Sequence, residues 1–196
     1  MNSDQQDLRI RRTKKFLMTA FVELLDEVAL DKITVNSLTK RAEINRVTFY
    51  LHYKDMDDFV ERFIDELFFD IESIFNRHYE KEFSKDIELQ VITQLLEYIA
   101  TKKDIFRSLL VSRSVPYFTQ LFMELIRNVI EKRNRDQLEP NTLFSDIDIE
   151  MDVASWYISS ALIGTISMWL ASGLKYSPQF LAQQILKLNP LRKLID

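Results

Sequence analysis

Apolar residues recur along most of the chain at the three- and four-residue spacing of an amphipathic helix. The first such stretch covers about residues 8–28, and its predicted buried stripe consists of Phe16, Leu17, Ala20, Phe21, Leu24, Leu25 and Val28. The same spacing returns over residues 55–79, 87–101, 105–111, 116–133 and 178–188. Asp104 is the predicted cap of the helix over residues 105–111, and the polar residues 134–146, which include Pro140, are predicted to form a loop. Because only two glycines and four prolines interrupt these stretches, the pattern predicts an all-α protein.

Residues 33–58 contain two short predicted helices joined by a tight turn. Thr34 is a suitable N-cap for residues 35–42, and Asn45 is a suitable N-cap for a helix that ends near His52. Asp55 is a suitable N-cap for the helix that follows. Two helices this short cannot bury a face alone, so we expect them to pack on the first helix. Three helices packed in this way form a helix-turn-helix head.

The second of these short helices has a buried face and a chemically distinct outer face. Its spacing directs Phe49 and Tyr53 toward the small core. The outer face and its edges carry Asn45, Arg46, Val47, Thr48, Tyr50 and His52. These side chains suit contacts to base edges and phosphates in a major groove, which favours double-stranded DNA over a merely solvated surface. Asn45 is explained better as a helix cap than as an adenine contact.

The distribution of charge along the chain is more informative than the net charge. The net charge is −4, yet residues 1–56 hold ten Lys and Arg against eight Asp and Glu, a balance of +2. Five cations fall within residues 9–15, where a minor-groove arm and a solvated helix start are equally good explanations. A weakly basic head on an acidic body suits a DNA-binding protein.

The sequence contains no motif that indicates catalysis or metal binding. The chain has no cysteine, and it has no HExxH, P-loop, GxSxG or glycine-rich dinucleotide motif. His52 and His78 lie too far apart along the chain for a recognisable ligand pair. We therefore predict no enzyme, no metal site and no cofactor. The absence of cysteine and of a secretory signal at the N-terminus fits a cytoplasmic location.

Residues 153–174 form an uncharged stretch that is long enough to span a membrane. Six Ser or Thr, two Gly and the lack of flanking cation clusters count against a span. Small residues at Ser160, Gly164, Ser167 and Ala171 form a stripe along one face, which lets another helix approach closely. We expect a buried or subunit-interface helix and no membrane segment.

The stretch ITVNSLTKRAEINRVTFYLHYKDMDDF, preceded by RRTKKFLMTAFVELLDE, resembles the TetR family of bacterial transcriptional regulators over about 50 residues. ALIGTISMWLASGLKYSPQFLAQQI is similar, more loosely, to the last two helices of one subgroup. The resemblance implies a homodimer of about nine helices per subunit. It also implies a helix-turn-helix DNA-binding domain over residues 1–54 and a helical-bundle regulatory and dimerisation domain over residues 55–196.

The resemblance further implies the role of individual residues. Those near DNA bases would be Arg46, Val47 and Thr48, and those near phosphates would be Thr34, Tyr50, His52, Tyr53 and Lys54. The last two helices of each subunit would form the dimer interface, with Phe180, Leu181, Gln184 and Ile185 joining the stripe of small residues. The implied function is that of a repressor that binds a palindromic operator. A small apolar effector bound in the C-terminal domain, at residues that the sequence does not indicate, would release it.

Two positions depart from the family pattern. Glu43 occupies the turn position where glycine is usual, so a turn with positive φ would be strained there. Met56 replaces a lysine that commonly contacts phosphate. Both changes leave open an alternative function, that of a co-regulator or protein-interaction module with weakened DNA binding.

Overall fold

The computed structural model describes residues 3–78, 84–136 and 149–188, and every regular element within these ranges is helical. The nine α-helices are α1 (Ser3–Glu27), α2 (Val35–Arg41), α3 (Arg46–Tyr50), α4 (Met56–Asn76), α5 (Lys85–Thr101), α6 (Lys103–Phe106), α7 (Phe118–Asp136), α8 (Met151–Ala171) and α9 (Pro178–Leu188). A 3₁₀ turn at Leu30–Lys32 follows α1, and a π-helical segment at Arg107–Val111 follows α6. The all-α prediction is confirmed.

Side-chain caps determine where the helices around the first turn begin. The Thr34 hydroxyl accepts the Ser37 amide at 3.1 Å, and the Ser37 hydroxyl accepts the Thr34 amide at 2.9 Å, which is a reciprocal capping box. Asn45 Oδ1 accepts the Val47 amide at 2.8 Å and thereby starts α3. Asp55 Oδ1 caps α4 in the same way. All three caps were predicted from residue type.

Two predicted details of the N-terminal half are wrong. Phe16 is 54% exposed and Val28 is 41% exposed, although both were placed in the buried stripe of α1. That stripe is centred on Leu17, Phe21 and Leu24; Phe16 lies to one side of it, and Val28 follows the last helical residue. Burial therefore covers a narrower stripe than the apolar pattern suggested.

The segment predicted as one short helix over residues 105–111 also differs. It consists of α6 and the π-helical segment, and Lys102, not Asp104, occupies the N-cap of α6. A π-helical turn widens the backbone by one residue per turn, which apolar spacing does not reveal. The loop predicted over residues 134–146 overlaps the end of α7 at Asp136, and its remaining residues lie outside the described ones.

The body is built around α4, which leads from the head into a core shared with α5 and α7. The α8 helix packs on α7 and on the π-helical segment, whereas α9 packs on α5. The centre of the body is aromatic: Phe68 lies 5.5 Å from Phe118 and 6.0 Å from Phe122, ring centre to ring centre, and Phe106 contacts the same two rings. These rings fill the core.

The α8 helix is unusual in its composition and its exposure. It is uncharged except for Asp152, and it is the one helix in the described ranges that is long and apolar enough to cross a membrane. Core helices of water-soluble proteins meet the same two criteria, and 44% of its most apolar window is buried inside this chain. One face, including Ile163 and Ile166, is buried, and the other face is open to solvent.

Candidate nucleic-acid interface

The α3 helix is attached to the rest of the head through a single buried aromatic side chain. Phe49 is fully buried, with its ring centre 5.3 Å from that of Tyr53 and 6.0 Å from that of Phe59 on α4. Aromatic contacts of this kind bury a large apolar area in a small volume. They allow a helix of five residues to keep a defined orientation, with its opposite face outward.

The outward face of α3 carries Arg46, Val47 and Tyr50, as the helical register predicted. Val47 is 68% exposed, so its methyl groups are available to an apolar partner such as a thymine methyl. Arg46 Nη2 donates a hydrogen bond to the Tyr50 hydroxyl at 3.1 Å. The predicted edge residues are also in place: Asn45 is exposed, and Thr48 and His52 are partly exposed.

Tyr53 and Lys54, which were both expected near phosphates, have different surroundings. Tyr53 is only 6% exposed, and burial, together with the charge of Glu66, raises the pKa of its hydroxyl to about 12. Lys54 is exposed. Its amide donates to Asp58 Oδ2 at 2.9 Å, and this hydrogen bond is the main reason that the pKa of Asp58 lies below its usual value. A phosphate contact from Tyr53 stays a prediction.

The turn between α2 and α3 has the strained geometry that was expected at Glu43. This residue has φ 55°, in the left-handed region that favours glycine. The Glu43 amide donates to the Lys40 carbonyl at 3.3 Å, and the Ile44 amide donates to the Thr39 carbonyl at 2.9 Å. These two bonds form a Schellman motif, which satisfies the last carbonyls of α2. The turn is therefore kept despite a side chain that disfavours it.

A second candidate interface is the solvent-facing side of α8 and α9. Ser160, Gly164 and Ala171 are exposed along one line of α8, and a Cβ atom added at Gly164 would meet no other atom within 4 Å. Of the α9 residues expected beside them, Phe180 is exposed. The other expected residues are less accessible: Ser167, Gln184 and Ile185 are partly buried and Leu181 is buried.

A family model described as the transcriptional regulator C-terminal region, of the TetR type, matches residues 88–190. This match covers more than half of the chain. The chain belongs to the TetR family of transcriptional regulators. Its all-helical architecture agrees with that of TetR-family structures.

A relative in Bacillus subtilis (strain 168), described as the uncharacterized HTH-type transcriptional regulator YxbF, is 25% identical over 191 residues. The alignment covers 96% of this chain and 47% of the relative, so the chain spans about half the length of that protein.

Solved structures with the same fold include several bacterial regulators. A TetR transcriptional regulator from Streptococcus agalactiae 2603V is 24% identical, with a TM-score of 0.64 and coverage of 96% of this chain and 99% of that one. FadR from Bacillus subtilis, solved in complex with stearoyl-CoA, is 16% identical, with a TM-score of 0.63 and coverage of 89% and 96%. DhaS, a dihydroxyacetone kinase operon activator, is 20% identical, with a TM-score of 0.63 and coverage of 93% and 96%.

Sequence reasoning missed three kinds of residue in this TetR-family protein. Leu51 is 75% exposed and lies four residues after Val47, so helical spacing alone could have placed it beside the outer face of α3. Trp156 and Met168 are exposed in line with Ser160 and Gly164, and the same spacing could have found them. Trp156 extends this exposed face by one turn toward the start of α8, and Met168 lies within it, between Gly164 and Ala171.

The third kind is an ion-pair clamp that spacing could not reveal. Arg41 on α2 donates two hydrogen bonds to the Glu27 carboxylate, at 2.9 and 2.7 Å, and it also lies 3.4 Å from Glu23. The hydrogen bond from Arg41 holds the pKa of Glu27 below its usual value, and it raises the pKa of Arg41 in turn. This clamp joins α2 to the end of α1 and so supports the TetR-type head.

The described ranges contain no group of three or more His, Cys, Asp or Glu side chains arranged to hold a metal ion. His78, for example, lies in the body with its Nε2 atom 3.4 Å from Gln94 Oε1. The chemistry available at the outer face of α3 is hydrogen bonding, cation contact and apolar contact, which is the chemistry of recognition.

Proposed function

We propose that this TetR-family regulator is a repressor that binds a palindromic site in double-stranded DNA as a homodimer. The observation that carries the proposal is the outer face of α3, where Arg46, Val47 and Tyr50 project from a helix that Phe49 attaches to the core. A rigid helix with exposed donors is suited to the major groove. Residues 1–54 would form the DNA-binding domain, and residues 55–196 the regulatory and dimerisation domain.

The proposed DNA contacts divide into two groups. Arg46 would pair with a guanine edge, Val47 would contact a thymine methyl, and Thr48 would lie beside them. The phosphate contacts would come from Thr34, Tyr50, His52, Tyr53 and Lys54, while Asn45 keeps its role as the cap of α3. Phosphate contacts set the register on the duplex, and base contacts select the sequence.

The homodimer is supported by the exposed apolar face of α8. Trp156, Gly164 and Met168 are exposed on this face. A second copy related by a two-fold axis would cover the face with the same face. The proposed interface consists of Ser160, Gly164, Ser167, Ala171, Phe180, Leu181, Gln184 and Ile185. Two α3 helices related by that axis would enter successive major grooves, about 34 Å apart.

Release from DNA would follow the binding of a small apolar effector in the body. A groove of about 320 Å³ between α5, α8 and α9, lined in part by Ile92, Ile158 and Leu162, supports an apolar ligand. The structure of FadR with stearoyl-CoA gives an example of an acyl ligand in a protein of this fold. Such an effector switches the regulator only if it binds the DNA-free arrangement more tightly than the DNA-bound one.

Glu43 favours a second candidate function, that of a co-regulator whose DNA binding depends on a partner protein. Its carboxylate stands at an exposed turn next to the proposed phosphate-binding residues, where negative charge opposes binding. Met56, a partly exposed neutral residue, takes the place of a cation nearby. This candidate predicts DNA binding only when the partner is present.

Selection of bound sequences from a random DNA pool, followed by a salt titration, tests the proposal. We expect a palindromic consensus with two half-sites one helical turn apart. For ~8–12 neutralised phosphates, the logarithm of affinity should fall against the logarithm of salt concentration with a slope of about −7 to −11. A slope near zero, or equal affinity for random DNA, contradicts the proposal. Binding that appears only after a partner protein is added favours the co-regulator. A DNA-binding regulator of this kind would work in the cytoplasm and not in a membrane.

A further inference from the structure

Arg46 and Tyr50 lie one helical turn apart on α3 and contact each other in two ways. Arg46 Nη2 donates a hydrogen bond to the Tyr50 hydroxyl at 3.1 Å. The guanidinium carbon also lies 5.5 Å from the centre of the Tyr50 ring, within the range of a cation–π contact. The two side chains therefore form a pair before any DNA is present.

The ring of Tyr50 is itself supported from the core. Phe49 is fully buried, and its ring meets that of Tyr50 edge to face, with ring centres 5.5 Å apart and an angle of 89°. Phe49 in turn packs on Tyr53 and Phe59. A continuous series of ring contacts thus runs from the centre of the head to the surface, and Arg46 lies at its outer end.

We propose that Tyr50 is a positioning residue for Arg46, in addition to its own phosphate contact; this inference rests on the proposed function. The hydroxyl oxygen accepts from Arg46 and still has its O–H to donate to a phosphate oxygen. Arg46 uses one of its five N–H donors on Tyr50, which leaves a donor pair for the O6 and N7 atoms of a guanine. One hydroxyl thus couples a base contact to a phosphate contact.

The benefit of this arrangement is a smaller loss of conformational freedom on binding. A free arginine side chain has many rotamers, and ordering it opposes association. Because Tyr50 already restrains the guanidinium group, less freedom remains to be lost at the DNA. The gain is specific to the base that Arg46 contacts, so it should appear as discrimination at one base pair of each half-site.

A double-mutant cycle on the selected palindrome tests the inference with Tyr50→Phe, Arg46→Ala and the double variant. Arg46→Ala first identifies the base pair at which this variant loses discrimination. The measured quantity is then the affinity for the palindrome divided by the affinity for the same palindrome changed at that base pair. We expect Arg46→Ala to lower this ratio about tenfold, as for one bidentate contact. Tyr50→Phe keeps the ring and should lower the same ratio about threefold, a modest coupling for two touching side chains. The double variant should be no worse than Arg46→Ala.

Lys54→Gln, alone and combined with Arg46→Ala, provides the matched control. Lys54 is an exposed residue beyond the end of α3, eight positions after Arg46. Its variant should weaken binding to all sequences alike, and its loss should multiply with that of Arg46→Ala. Thermal unfolding of each variant checks that the head remains folded.

Two results would overturn the inference while leaving the proposed function intact. The first is a Tyr50→Phe variant that binds all sequences more weakly, with an unchanged ratio and losses that multiply with those of Arg46→Ala. The second is an Arg46 guanidinium NMR signal with equally free rotation in the DNA-free wild type and in Tyr50→Phe. A wild-type chain that binds no DNA overturns the proposed function and this inference together.

Discussion

The α3 and α8 helices each bury one face inside this chain and expose the other, but the exposed faces have opposite chemistry. The outer face of α3 offers the Arg46 guanidinium and the Tyr50 hydroxyl. The outer face of α8 offers a mainly apolar line in which Trp156, Gly164 and Met168 are exposed. The chemistry of the two faces differs, and it indicates a different kind of partner for each.

Under the proposed function, the difference separates a face that can be left without its partner, DNA, from a face that remains covered by a second copy of the chain. Water satisfies the donors on α3 when DNA is absent, so this face costs little free energy when it is empty. Water does not satisfy the apolar face of α8, and a contiguous apolar surface on a folded chain marks a site of protein association. In the proposed homodimer, the α3 face would therefore bind DNA reversibly, whereas the α8 faces would remain paired.

The largest expected effect comes from blocking the face of α8 with Gly164→Leu. The Leu side chain has free space in the single chain, because a Cβ atom at Gly164 meets nothing within 4 Å. It would nevertheless prevent a second α8 from approaching closely. We expect analytical ultracentrifugation to show a folded monomer, and operator affinity to fall about 100-fold or more through loss of the second head.

Asn128→Leu on α7 is the matched control, since it places the same side chain at an exposed position of another helix. This variant should remain dimeric and keep its operator affinity. If Gly164→Leu remained dimeric as well, the assignment of the exposed α8 face to pairing with a second copy would be wrong.

A smaller effect is expected at the turn that orients α3, through Glu43→Gly. Glycine adopts the φ of 55° found there without steric cost, whereas a side chain in this region costs roughly 1–2 kcal/mol. Part of this gain is offset by the greater freedom of glycine in the unfolded chain. We expect a net increase of about 1 kcal/mol in the free energy of unfolding, measured by denaturant titration.

Glu43→Gln separates the strain from the charge. It keeps the side chain in the left-handed conformation and removes only the carboxylate, so DNA affinity should rise without a gain in stability. Equal stabilisation by both substitutions would show that the backbone conformation at Glu43 is not strained.

The smallest effect concerns Tyr53, which packs against Phe49 of α3, and it appears only at alkaline pH. Burial raises the pKa of Tyr53 to about 12, whereas the unfolded chain loses the same proton near pH ~10. The unfolded state therefore binds fewer protons between these values, and stability falls as the pH rises from about 10 to 12. Tyr53→Phe should show a weaker decline in melting temperature over this interval, and an identical decline would contradict a buried Tyr53 hydroxyl.

Much of the head could be predicted from its sequence because its determinants are local. Thr34, Asn45 and Asp55 were each identified as caps, and each side chain makes a hydrogen bond within three residues. The outward direction of Arg46 and the inward direction of Phe49 follow from helical spacing alone. The strain at Glu43 was expected from the family resemblance, because glycine is usual at that turn position.

The Arg41–Glu27 clamp could not be predicted in this way, since its two residues lie 14 positions apart and their distance depends on how α2 packs on α1. The same limit applies to Phe16, which the apolar pattern placed inside and the packing leaves 54% exposed.

The sequence by itself determined most of the helices, the caps at Thr34, Asn45 and Asp55, and the polar outer face of α3, because each depends on residues within one or two turns of each other. Only the tertiary structure decided which apolar residues are covered, where the π-helical segment widens the chain, and which face of α8 remains open. The physical reason is that burial depends on which surfaces meet, and that is a property of the whole packing and not of any one segment.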